Sequence, residues 1–301
     1  MSFYFTITTN KRISYNDLLI ELINKNVEID QPEILQDLVA DGGCKFFIPY
    51  RSTRGVTLRY ENQEYSIGLN VVASEADFEL ALNITETLSK YTGALILPED
   101  RDEPIDIEIL TKDYSQKWID EIKLLGIDIF IEKIGMTGND LSIGCCYMMY
   151  SIGPKIHSQL DSSSKESYYH GLVKLICQTQ FFDREKYAIP SYLVVTNKKT
   201  DKKEKMIVLY PNGDQFLPVA DVLVIRKEDD WVELPFGRIN EIATNKFTLI
   251  DEQQYLVDAL SEAEYHSLFL AARNILTDAS VKNENEEIAE TPKTKRWWQF
   301  W

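Results

Sequence analysis

The sequence predicts an α+β fold: mixed or antiparallel sheets with flanking helices, packed as two halves. Three observations predict it. Short apolar runs with two-residue alternation recur along the chain, as half-buried strands require. Amphipathic helices with clear N-terminal signals fall singly among groups of such runs, which favours α+β over a doubly wound sheet. A composition of 44% hydrophobic and 27% charged residues over 301 positions is that of a globular chain, long enough for one large domain or two ordinary ones.

The elements follow in order. Phe3 to Thr8 reads as a strand. Ser14 and Asp17 form a capping-box start for a helix carrying Tyr15, Leu18, Leu19, Leu22 and Ile23 on one face. Pro32 suits the first turn of a short helix through Val39, stopped by Asp41-Gly42-Gly43. Strands are expected at Cys44 to Pro49, Val56 to Tyr60 and Tyr65 to Val71, the last two as a hairpin around Glu61 to Glu64. Ser74 and Asp77 open the clearest helix, with Phe78, Ala81, Leu82, Thr85 and Leu88 facing inward and Gly93 as its stop. Ala94 to Leu97 is a short strand. After the acidic loop Glu99 to Glu103, Ile105, Ile107 and Ile109 alternate with acids as a strand would. A helix around Trp118, Ile119, Ile122 and Leu125 then leads to a strand at Ile127 to Ile131.

Ile143 to Ile152 is irregular and apolar, and Asp161 to Ser164 is a polar break that marks the boundary between halves. The second half opens on a helix bearing Tyr169, Leu172, Val173 and Ile176. Strands follow at Tyr192 to Thr196, Met206 to Tyr210, Val222 to Arg226 and Trp231 to Leu234. Ser261 and Glu264 are a full capping box for a helix burying Leu268, Phe269, Ala272, Ile275 and Leu276. The expected organisation is residues 1–160, residues 161–280, and a tail over 281–301 that is acidic at first and then rich in cations and tryptophan.

With 48 acidic and 32 basic residues, the formal charge is −16. That charge disfavours nucleic acid and anionic membranes as partners and favours basic protein surfaces. No apolar stretch approaches the roughly 20 residues of a membrane span, and the N-terminus lacks the pattern of a signal peptide. Four unevenly spaced cysteines, Cys44, Cys145, Cys146 and Cys177, suit a reducing cytoplasm.

Catalytic and metal-binding patterns are absent. His157, His170 and His266 have no ligand-spaced partner, so no metal or other cofactor is expected. Gly135-Met136-Thr137-Gly138 lacks the lysine of a phosphate-binding loop. Ser162-Ser163-Ser164-Lys165 matches the Ser-x-x-Lys spacing of some acyl-transferring enzymes, without their companion motifs, and reads as a loop and helix cap. Two acidic clusters, Glu99, Asp100, Asp102 and Glu103, and Asp229 with Asp230, read either as solvated turns or as contacts for a basic partner. The terminal Trp297, Trp298, Phe300 and Trp301, next to three cations, are residue types that anchor interfaces. The same tail also suits docking on the protein itself or weak contact with a membrane interface.

Two stretches carry a family resemblance: Phe78 to Asp100 (FELALNITETLSKYTGALILPED) and Leu217 to Ile242 (LPVADVLVIRKEDDWVELPFGRINEI). With the Trp-Trp-Gln-Phe-Trp terminus they resemble bacterial cytoplasmic proteins found beside secreted antibacterial toxins, the immunity proteins of polymorphic or type VI secretion toxins. The resemblance implies a non-enzymatic inhibitor that binds and occludes one cognate toxin, and it carries over no functional residue. The expected contacts are the two acidic clusters and the four terminal aromatics. The alternatives are a hydrolase with an unrecognised site, such as Ser162 with Lys165, and a peripheral scaffold attached through its aromatic tail.

Overall fold

The computed structural model describes residues 2–23, 26–70, 72–137, 140–197 and 201–284. It is an α+β fold, as the pattern of runs and stripes predicts, and its strands pair mostly antiparallel. The chain divides into two compact units: Met1–Arg184 with Leu249–Gln253, and Glu185–Thr248 with Gln254–Trp301.

In the first unit, β1 (Ser2–Thr8), β2 (Glu28–Ile29), β3 (Cys44–Phe47), β4 (Val56–Glu61), β5 (Glu64–Asn70) and β6 (Leu97–Pro98) form one sheet in the order β2-β3-β4-β5-β1-β6. β4 and β5 close on a two-residue turn whose Asn62 and Gln63 both have positive φ, the geometry that matches strand twist even without the favoured Asn-Gly. Helix α1 (Tyr15–Glu21) starts at Ser14, which accepts the Asp17 N–H. It ends before Leu22 and Ile23, the last residues of the expected face, and leaves Ile23 exposed. The helix expected from Pro32 to Val39 is a single 3-10 turn, Pro32–Ile34; the Val39 N–H bonds Ile13 O instead of continuing a helix.

Helix α2 (Glu75–Thr92) has the expected capping box at Ser74 and Asp77 and the left-handed stop at Gly93. Its Phe78, Ala81, Ile84 and Leu88 bury against the sheet core of Phe5, Ile7, Leu58 and Ile67. Asp77 is fully buried and does more than cap. Its carboxylate accepts from the backbone N–H groups of Thr53, Arg54, Gly55 and Ser74, at 2.9–3.1 Å, and from the Thr53 hydroxyl. Five donors replace the lost hydration of the charge and fix the loop before β4 to the helix start.

Two expected strands are helices. Ile107–Asp113 is α3, because the Asp106 carboxylate accepts the Ile109 N–H and starts a helical turn. Alternation of isoleucine with acid over five residues satisfies a strand period and, locally, a helical one. The strand expected at Ile127 to Ile131 lies inside α4 (Gln116–Thr137), where Ile119, Lys123, Ile127 and Phe130 are buried at helical spacing.

The irregular centre is a hairpin of β7 (Leu141–Gly144) and β8 (Met149–Ile152), followed by α5 (Pro154–Gln159). Asp161 to Ser164 is not a boundary between units. Ser164 is the N-cap of α6 (Lys165–Gln180), inside the first unit, which runs on to Arg184. A second core forms around Ile127, Tyr150, Ile152, Tyr169, Leu172 and Ile176.

Leu249–Gln253 returns to the first unit late in the chain, and two buried carboxylates hold it there. Asp251 accepts the Ser151 N–H at 3.0 Å, and the Glu252 N–H donates to Ser151 O at 2.8 Å. Glu252 accepts from the N–H groups of Gly153, Lys155 and Ile156, at 2.9–3.0 Å, so a residue about a hundred positions away caps α5. Gly153 makes room for it: a Cβ there would lie 2.8 Å from Glu252 Cδ.

In the second unit, β9 (Leu193–Asn197), β10 (Lys202–Leu209), β12 (Val222–Lys227) and β13 (Asp230–Pro235) form a sheet in the order β13-β12-β10-β9; only β10 and β12 run parallel. β11 (Gln215–Leu217), β14 (Phe247–Leu249) and β15 (Tyr255–Val257) form another small sheet that the sequence reading missed. Each has only three residues, too few for a pattern to register. Helix α7 (Glu262–Glu284) packs on β12 and β13, and its capping box is the expected one, with the Ser261 N–H on Glu264 at 2.8 Å. The Tyr265 hydroxyl accepts the Arg226 N–H and lies 2.8 Å from Leu209 O.

Candidate functional site: an apolar groove with an acidic rim

In the first unit, α2, α4, the ends of β1 and β5, and the loop after β6 enclose a groove of about 260 Å³. Its floor is Phe3, Leu69, Phe78 and Ile122, and Gly126 of α4 also lines it. Beneath the floor lies an edge-to-face aromatic stack. Phe3 meets Trp118 at 5.2 Å between centroids, and Trp118 meets Phe78 at 5.8 Å and Tyr114 at 5.0 Å. Such a stack holds Phe3 in place by geometry as well as by buried area. Leu125 stands 46% exposed on α4, off the buried stripe of that helix, and forms the outer lip.

The rim is Glu99 and Asp100. Backbone pairing puts Glu99 there: its N–H donates to Tyr4 O at 2.9 Å, and its carboxylate accepts the Tyr4 N–H at 3.0 Å. Asp100 accepts the Tyr114 hydroxyl. Burial, and then this bond to a carboxylate, push the Tyr114 phenol well above its ordinary range, so it stays a donor. Each carboxylate uses one oxygen in this way and remains exposed to solvent. Arg101, next to the rim, pairs with Asp113 and lies 5.8 Å from the Tyr114 ring centroid.

Of the residues expected to contact a partner, Glu99 and Asp100 line this groove, while Asp102 and Glu103 are exposed in the adjoining loop. Asp229 and Asp230 belong to the second unit, at the tight turn between β12 and β13, where Asp230 pairs with Arg273 of α7. Trp297, Trp298, Phe300 and Trp301 lie outside the described residues. Sequence reasoning missed the groove's apolar floor. Leu124 and Leu125, two exposed leucines beside the buried stripe of α4, were the signal available.

Other candidates are accounted for locally. Lys165 pairs with Asp128 of α4 at 2.6 Å, near the exposed start of α6. His157 bonds the Tyr168 hydroxyl through Nδ1, at 2.9 Å, and His266 Nδ1 lies 2.8 Å from the Lys227 ammonium. Burial raises the thiols of Cys44, Cys145 and Cys177 to about 12, the opposite of a reactive nucleophile. Among the described residues, no three His, Cys, Asp or Glu side chains converge as a metal site, and no helix is long and apolar enough to cross a membrane.

Residues 2–187 match the model of a domain of unknown function, DUF4299. The chain belongs to this family. The DUF4299 match ends within three residues of the first unit's main segment, so the groove and both buried cores of that unit are DUF4299 structure. No curated protein and no solved structure matches the chain.

Proposed function

We propose that the chain is a non-enzymatic binding protein whose acidic-rimmed groove takes a basic segment of a partner protein, with an apolar side chain seated on Phe3, Leu69 and Ile122. The observation that carries this reading is the pairing of an apolar floor with two outward carboxylates in one concavity. A net charge of −16 favours the same class of partner and speeds its approach. The resemblance to immunity proteins makes the partner a cognate antibacterial toxin, occluded by the contact. The aromatic tail, Trp297 to Trp301, serves in this reading as a second anchor.

The test is a titration of the full chain with a fluorescent ten-residue peptide of lysine and leucine, in wild type and in Leu125→Glu. Non-specific attraction to an acidic protein would strengthen in Leu125→Glu, because the variant adds a negative charge. Seating in the groove would weaken at least tenfold. Binding that is unchanged or tighter in the variant removes the groove from the account. A cognate toxin, once paired with the chain, should escape neutralisation by the same variant, and truncation after Glu290 measures the share of the tail.

A further inference from the structure

Sheet edges invite strand addition, and the larger sheets of this protein blunt theirs with one exception. The first unit's main sheet ends on β2 and β6, each two residues long. In the second unit, β13 carries Asp230, Glu233 and Pro235 along its edge. The opposite edge is β9, Leu193-Val194-Val195-Thr196-Asn197, five residues with neither charge nor proline. Among the described residues no further strand pairs with it.

β9 is also uncovered on its faces. Register with β10 places Val194 opposite Lys205 and Thr196 opposite Lys203, on the side of the sheet that carries buried Ile207 and Leu209. Helix α7 packs on β12 and β13 on the far side of this sheet from β9, and Val194 remains 61% exposed. On the other face Leu193 is 55% exposed, and Ile189 and Tyr192 extend the apolar surface before the strand. Beside it on β10 stand Lys202, Lys203 and Lys205, with Glu204 among them, and the Lys205 ammonium lies 5.5 Å from the centroid of the Tyr192 ring. A strand added outside β9 would lie two strand spacings from β10, roughly 10 Å, a gap closed only where a lysine and an acidic side chain lean toward each other above the sheet.

We infer that β9 is a docking edge for an extended, acidic segment of another protein, which adds a strand to the β13-β12-β10-β9 sheet and sets its carboxylates against Lys203 and Lys205. Backbone pairing supplies the affinity and the lysines supply the choice of partner. A second copy of the chain is a poorer occupant, because β9 laid on β9 brings no acid to these lysines. The site is independent of the groove in the first unit and asks for the opposite charge.

The probe is a ten-residue peptide alternating valine and glutamate, compared with its valine and lysine counterpart. Both are titrated into the full chain while hydrogen exchange is followed at residues 193–197. The glutamate peptide should bind at least tenfold more tightly and slow exchange in β9. Val194→Glu, which sets a like charge on the face of Lys203 and Lys205, should weaken the binding at least tenfold, and Lys203→Glu with Lys205→Glu should reverse the preference. Equal binding of the two peptides, or protection elsewhere, overturns the inference. So does a dimer in sedimentation that Val194→Glu dissolves, since that assigns the edge to self-pairing. Protection of β9 by anionic vesicles, with no response to the peptide, would assign it to a membrane surface and overturn the inference as well.

Discussion

The two units hold themselves together differently. The first is stitched by buried polar groups: Asp77, Lys123, Thr179, Asp251, Glu252 and several hydroxyls are all sequestered within it, and so is each buried cysteine. In the second, Gln215 is the one buried polar residue among those described, and the sheet relies on apolar side chains under α7 and the hydroxyl of Tyr265. Directional bonds specify one arrangement and penalise every change; apolar layers tolerate substitution of similar volume. The first unit should therefore be the brittle one.

The largest expected break in that contrast is Asp77→Ala. It strands four backbone donors in a dry site, and it should destabilise the first unit by on the order of 3 kcal/mol or more. Urea unfolding read through Trp118 should register the loss, with little change in a probe of the second unit such as Trp231. A loss under about 1 kcal/mol would mean that the loop relaxes and the bonds are not what fixes it.

Glu252→Ala comes next, at about 2 kcal/mol, since water can reach part of the freed α5 terminus and offset its loss. Hydrogen exchange at Lys155 and Ile156 should quicken before any change in the six-stranded sheet.

Alkali gives a third test. Burial raises Cys44, Cys145 and Cys177 to about 12, above the ordinary thiol value near ~8.5. The folded state therefore holds these protons more tightly than the unfolded chain. Their contribution is complete below about pH 8.5 and is lost as the pH rises toward 12. The urea midpoint of the first unit should fall over that window, and alkylation of Cys44 and Cys145 at pH 8 should proceed only as fast as this unit opens. Rapid labelling of either in native protein would contradict the burial.

Val194→Glu should have the smallest effect, within about 0.5 kcal/mol, because an exposed edge position has little to lose. Its consequence belongs to binding alone, which is what makes it a clean probe of β9.

Elements defined by neighbours in sequence were legible before the structure. Ser74, Asp77 and Gly93 delimit α2, and Ser261 with Glu264 starts α7, because a cap and its helix lie within one turn. The same logic misled at Ile105 to Ile109, where five residues suit either period and Asp106 decides between them. What joins distant segments was not readable. Asp77 reaches back to Thr53, Arg54 and Gly55, and Glu252 caps a helix that begins at Pro154. Of the groove's lining, the acidic loop singled out by charge clustering contributes Glu99 and Asp100. The floor draws on two strands and two helices far apart in the chain, and no local pattern marks residues that become neighbours only on folding.

The late return of Leu249–Gln253 gives the order of synthesis a role. A ribosome releases the six-stranded sheet, α4, α6 and much of the second unit before Asp251 and Glu252 emerge. Until then the N–H groups of Ser151, Gly153, Lys155 and Ile156 have only water to bond, and β8 keeps an open edge. A nascent chain arrested before residue 249 would carry the family's domain nearly whole but unlatched, a state in which β8 is available to the wrong strand.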